Sequence, residues 1–251
     1  MPTCRFCKSS DKKLIKAHII PRSIFKLVKK DENYSVYFEA RQEGVRTEFK
    51  QAGLYDENIL CAECEARFSN WDAHGVAVIS KPRGEADLYR DPQGIACGYY
   101  LKDADYELFM MFLLAVLWRA SVSTLQFFRQ VQLGPHEKRI LTILKKGGPV
   151  LDTYSAVLIH PLSQRYPGTI MPSWRGRIDS VWFQRLYFPD VIAMIKVDQR
   201  PTPQILRPIQ LRPDHDNYLV FLPYERTAEE AYFNEMRSFM KEHDLFDKGK
   251  G

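Results

Sequence analysis

Two short cysteine pairs limit what this chain can fold into more than any other feature. Cys4-Arg5-Phe6-Cys7 stands at the start, and Cys61-Ala62-Glu63-Cys64 follows some sixty residues later. Two residues between the cysteines let the backbone turn so that both sulfurs converge on one ion, and two such pairs complete a closed tetrahedral site. The chain opens on Met1-Pro-Thr-Cys4 without a basic, apolar, small-residue leader, so a reducing cytoplasm is the expected compartment. In that compartment thiols bind metal rather than pair as disulfides. Zn2+ is the expected structural ion, held by Cys4, Cys7, Cys61 and Cys64, and iron is the alternative for a sulfur-only site. The fifth cysteine, Cys97, has no partner in sequence and is expected in the core.

Charge is distributed unevenly around those pairs. Residues 1 to 50 carry twelve Lys/Arg against six Asp/Glu, and the rest of the chain carries 24 against 25, so the +5 net charge arises wholly from the first fifth. Positive charge beside a metal module fits a phosphate-backbone partner, with Lys12, Lys13, Lys16 and Arg22 as candidate gripping residues. The 251 residues, 45% of them hydrophobic, suffice for one sizeable core with a small module attached. We expect a metal-built module over 1–80 and a larger α+β domain over 81–251. The module is too poor in apolar residues to fold by burial alone, and coordination, worth roughly 10–16 kcal/mol in finger-like domains, supplies the difference.

Within the module the pattern predicts a helix over Arg22 to Lys30, strands around Tyr34 to Glu39 and Val45 to Phe49, and a helix over Ala62 to Trp71 opened by the second pair. Residues 83–103 are rich in turn formers and read as a connection. Leu108 to Trp118 is an apolar run of eleven residues, too short for a bilayer and suited to a buried central helix. Pro135 opens and Gly147-Gly148 closes a further helix. Strand-like runs follow at Tyr154 to Ile159, Ile178 to Tyr187, Val191 to Val197, Gln204 to Leu211 and Tyr218 to Leu222. An amphipathic helix over Thr227 to Lys241 closes the chain. The predicted body is α+β, with a mostly antiparallel sheet and no membrane span.

The order Cys4-x-x-Cys7, ten residues, His18-Ile19-Ile20-Pro21, then Asn58-Ile59-Leu60-Cys61-x-x-Cys64 resembles the zinc-stapled branch of the HNH, or ββα-metal, endonucleases. The likeness covers about seventy residues. It implies a treble-clef scaffold, His18 as general base, Asn58 orienting that base or its loop, and one Mg2+ or Mn2+ ion at the scissile phosphate of a nucleic acid, DNA first. An imidazole titrating near neutrality suits proton abstraction from water, typically worth about a hundred- to ten-thousand-fold in rate. The position before the base, an ion ligand in that family, is Ala17 here, and the position after the last cysteine is Glu65 rather than His or Asn. Glu65 is therefore the candidate oxygen ligand, with Asp72 or His74 further along. The resemblance also implies phage-defence or mobile-element loci, where such nucleases are paired with a sensor or ATPase. The alternative is a non-catalytic zinc module that binds nucleic acid or a partner protein.

Overall fold

The computed structural model describes residues 2–28, 35–41, 44–50, 53–102, 104–150, 152–161, 170, 172–213 and 216–222. The N-terminal part comprises β1 (Ala17–His18), α1 (Arg22–Val28), the hairpin of β2 (Ser35–Arg41) and β3 (Gly44–Lys50), then β4 (Tyr55–Asp56), α2 (Ala62–Ala66) and α3 (Ser69–Ser80). β1 and β4 pair antiparallel, with Ala17 opposite Asp56 and His18 opposite Tyr55. The β2–β3 hairpin is a separate two-stranded sheet inserted between those two short strands.

The helix expected over 62–71 divides in two. Arg67 and Phe68 form a turn between α2 and α3, where Phe68 N–H bonds the Glu65 carbonyl and Asp72 N–H bonds that of Phe68. Phe68 is fully buried at this joint, edge-on to Phe6 and stacked with Trp118. Burial of one large ring thus sets the break, which neither proline nor glycine marks in the sequence.

The remainder adds β5 (Leu88–Arg90), β6 (Ala96–Tyr100), α4 (Tyr106–Val122), α5 (Pro135–Lys146), β7 (Ala156–Pro161), β8 (Trp174–Ile178), β9 (Val181–Phe188), β10 (Val191–Lys196) and β11 (Tyr218–Leu222). Seven of these strands form one sheet in the order β5-β6-β11-β7-β10-β9-β8, antiparallel except for the β11–β7 pair. The fold is α+β. Residues 83–103 are not merely a connection, since they supply two strands of this sheet. The alternation over 178–187 turns out to be the end of β8, a tight turn at Asp179-Ser180 with both φ angles positive, and β9. Gln204 to Leu211 is a short 3-10 turn and a single bridge at Gln210 rather than a strand, as Pro208 within it removes a donor a ladder would need. Lys29 and Lys30 of the first helix and the closing helix over Thr227 to Lys241 lie outside the described residues.

α4 begins at Asp105, whose carboxylate accepts from Leu108 N–H, and is buried on almost every side, as the uninterrupted apolar run requires. α3 crosses it closely at Gly75, where a Cβ would stand 2.1 Å from the Phe112 ring. One hydrophobic core runs from Cys4, Phe6 and Ile59 through Phe68 and α4 to Leu158, Leu186 and Ala193 of the sheet. A second cluster lies on the opposite sheet face around Val157, Phe183 and Met194. No helix among the described residues is long and apolar enough to cross a membrane.

Candidate metal centre and the histidine beside it

The first cysteine pair sits in a turn closed by Lys8, which takes a left-handed φ of 68° so that its N–H reaches the Cys4 carbonyl at 2.9 Å. Backbone bonds draw this turn onto the second pair. Arg5 N–H meets the Ile59 carbonyl at 2.7 Å, Ile15 N–H meets that of Leu60 at 2.9 Å, and Leu14 bridges Cys61. Cys61 precedes α2 in extended conformation, and the N–H groups of Cys64 and Glu65 return to its carbonyl. The four sulfurs of Cys4, Cys7, Cys61 and Cys64 then lie within 4.8 Å of one another, with Cys7 and Cys61 at 4.0 Å.

A zinc–sulfur bond of about 2.3 Å places tetrahedral sulfurs just under 4 Å apart, so the donor set fits a four-thiolate metal site. Cys4, Cys61 and Cys64 are buried and Cys7 is exposed, which leaves an entry path. Burial pushes the Cys4 thiol up, but hydrogen bonds from the backbone at Cys7, Cys61 and Phe6 outweigh it and bring the thiol down to about 7. Burial and the neighbouring sulfurs push Cys64 well above the ordinary thiol range, and burial raises Cys61 as well. Four clustered thiols resist sharing several negative charges, and a divalent cation removes that conflict. Cys97 is not part of this group, nor is it in the core: it is half exposed on β6, with its thiol near the Ile95 carbonyl.

His18 lies next to this centre. Ala17 is buried and His18 half-buried, and its ring stands 6.3 Å from Tyr55 across the β1–β4 pair. Its backbone N–H donates to Glu65 Oε1 at 3.3 Å, so the strand and α2 bring together two residues separated by 47 positions. The other Glu65 oxygen is buried without a hydrogen-bond partner. Burial pushes Glu65 above the usual carboxylate range, opposed by the Arg119 guanidinium and the His18 N–H and reinforced by Asp72.

The remaining expected residues are placed differently. Asn58 is exposed, and its backbone N–H donates to Asp56 Oδ1 at 2.9 Å in a local turn. Asp72 is committed to Arg119, whose two terminal nitrogens grip both its oxygens at 2.8 and 2.6 Å. It is therefore a buried-pair residue rather than a surface one. His74 is half-buried in α3, with Nε2 buried and unbonded. Lys12 pairs with Glu63 at 2.5 Å, Lys16 reaches Glu57 at 3.5 Å and lies over Tyr55, and Lys13 and Arg22 are exposed.

Sequence reasoning missed Asp56 and Arg119. Asp56 is 2% exposed and accepts from Asn58 N–H, Ser123 Oγ, and both Thr124 N–H and Oγ1, which fastens β4 to the end of α4. An acidic residue two positions before Asn58 in a turn-forming run was the available signal. Arg119, fully buried over the Phe68 ring, was signalled only as the first charge to interrupt an apolar run.

Comparison of the chain with protein-family models, curated proteins and solved structures gives no match.

Proposed function

We propose that this protein is an HNH-like, metal-dependent endonuclease that hydrolyses phosphodiesters of nucleic acid, DNA first, with Zn2+ on Cys4, Cys7, Cys61 and Cys64 as its structural staple. The observation that carries this reading is the His18–Glu65 pair: a half-buried histidine on a short strand, bonded through its backbone to a carboxylate that directly follows the last cysteine and keeps one oxygen uncommitted. His18 is the general base that takes a proton from the attacking water. Glu65 is the hard oxygen donor, and a Mg2+ or Mn2+ ion held there would neutralise charge on the scissile phosphate. Asp72 and Asp56 are spent on structural partners, so an ion held by Glu65 would draw its other ligands from water and substrate oxygens. Phage defence or a mobile element, with an ATPase or sensor alongside, is the setting we associate with such a chain.

One set of observations favours a non-catalytic zinc module that binds nucleic acid or a partner protein. Glu63 and Glu57 neutralise Lys12 and Lys16, and Asn58 contributes a backbone bond to Asp56 instead of turning inward to a base. A supercoiled-plasmid nicking assay with Mg2+ or Mn2+, on wild type, His18→Ala and Glu65→Gln at matched zinc content, separates the two. The nuclease reading requires nicking by wild type and its loss in both variants. Retention of plasmid without nicking by any of the three selects the binding module.

A further inference from the structure

α5 is strongly two-sided. Ile140, Ile143 and Leu144 are buried, while Lys138, Arg139, Thr142, Lys145 and Lys146 face solvent, with Glu137 as the helix's one acidic residue. At its C-terminal end the helix touches the metal centre: the Lys145 carbonyl accepts from Arg67 at 3.0 Å, and the Lys145 ammonium lies 5.8 Å from the ring of Phe6, between the first two cysteines. At its N-terminal end His136 lies within electrostatic reach of Arg175 on β8, the last strand of the sheet. There Arg175 and Arg177, two apart and so on one face of the strand, both lie against the Trp182 indole, at 4.1 and 4.0 Å from the ring centre. Arg177 is opposite Trp182 in the ladder.

These cations differ from those near the N-terminus. Among the described residues none of Lys138, Arg139, Lys145, Lys146, Arg175 and Arg177 has a carboxylate at ion-pair distance, and the nearby Asp198 is taken by Arg200. Arg175 also keeps a buried Nε without a hydrogen-bond partner. His136, at the start of α5, is pushed down by burial and then by Arg139, with Arg175 acting in the same sense against Asp198. Two guanidiniums on one indole repel each other, and an anion between or beside them relieves that repulsion. Stacking on Trp182 fixes the plane of each guanidinium, leaving its N–H fork set for a phosphate without the entropic cost of ordering a free side chain.

We propose that the protein holds a nucleic-acid strand by its phosphodiester backbone on a track that runs from Arg175 and Arg177 along the exposed face of α5 to the cysteine turn. Twelve helical residues span about 18 Å, which matches roughly five phosphate spacings of one strand measured along the axis of a duplex. Lys12 and Lys16, already paired, are not the grip. Trp182 is already covered by its own arginines, so the track reads charge and spacing rather than bases. This rests on the reading of nucleic acid as the substrate, but it concerns binding and not hydrolysis.

The test is fluorescence anisotropy of a short labelled duplex and its single strand over a range of salt, on the full chain loaded with zinc. The Arg175→Ala/Arg177→Ala variant should lose roughly 50-fold in affinity near 0.1 M salt and lower the slope of log affinity against log salt by about 2. Lys138→Gln/Lys146→Gln, confined to exposed helix positions, should lower affinity and salt slope in the same sense, which a sheet disturbed by removal of the arginines could not explain, and unchanged binding in this variant would overturn the track. Arg177→Lys should recover only part of the loss, because an ammonium lacks the planar fork. A loss confined to Lys12→Gln/Lys13→Gln/Lys16→Gln would overturn the track and leave the nuclease reading intact. Tight binding through the track with no nicking would sustain the track and remove the nuclease. Binding to phosphatidylserine vesicles but to neither nucleic acid would overturn the proposal.

Discussion

At the scale of single residues, the buried Asp56 and the half-buried Asp72 do different work. Burial pushes Asp56 up, but donors from Thr124, Asn58 and Ser123 more than offset it and hold the carboxyl below the ordinary value of 3.8. Its folded pKa lies below its unfolded one, so its contribution to stability is present above about pH 4 and disappears as pH falls through the lowered value. Asp56→Asn keeps the shape, loses the charge-assisted bonds and turns an amide donor toward donors. It should cost about 3 kcal/mol at neutral pH by urea denaturation, with the gap closing below pH 4. A cost that does not change with pH would show that charge is irrelevant there. Asp72 works by compensation: Arg119 is wholly buried, and Asp72→Asn strands its guanidinium. We expect a loss of roughly 3–5 kcal/mol, with Asp72→Asn/Arg119→Met recovering most of it, since replacing both partners removes the buried charge.

At the scale of elements, the crossing of α3 over α4 depends on Gly75. Alanine is the better helix former by about 1 kcal/mol, yet its Cβ would meet the buried Phe112 ring, and overpacking of this kind costs roughly 1–3 kcal/mol. Gly75→Ala should therefore melt lower by a few degrees in calorimetry, and a higher melting point would mean that the helices separate freely. This crossing also shows which parts of the fold were legible in the sequence. α4 and α5 were readable because their signals are local: an unbroken apolar run, and a proline and glycine at the two ends of a periodic stretch. β5 and β6 were not, as Leu88–Arg90 and Ala96–Tyr100 sit among turn formers and become strands by pairing with each other and with β11. The cysteine site was legible for the same reason as the helices, each pair being a local turn. The partners of Glu65 and Asp72, and those of Asp56 apart from the neighbouring Asn58, lie 47 or more residues away, and no local pattern names them.

At the scale of the whole molecule, the four-cysteine cluster and the sheet share one core, and the link between them is visible. Phe6, held between Cys4 and Cys7, packs edge-on against Trp118 of α4 at 5.5 Å, and α4 in turn presents Phe112 to Phe188 of the sheet. Cysteine geometry therefore reaches the sheet through two ring contacts joined by the rigid helix α4, with no flexible linker. Four thiols brought together without an ion conflict electrostatically, so chelation should release the first turn, withdraw Phe6 from Trp118 and expose part of α4. Scanning calorimetry of the zinc-loaded chain should show one transition, which chelation shifts downward as a whole, and the near-ultraviolet dichroism of Trp118 should fade at the same temperature. Cys61→Ser should reproduce the shift with zinc present and lower the bound metal to a fraction of one equivalent. Two transitions, of which only the smaller responds to chelator, would instead mean that the aromatic chain from Phe6 to Phe188 transmits nothing, and that the first eighty residues fold and unfold independently of the sheet.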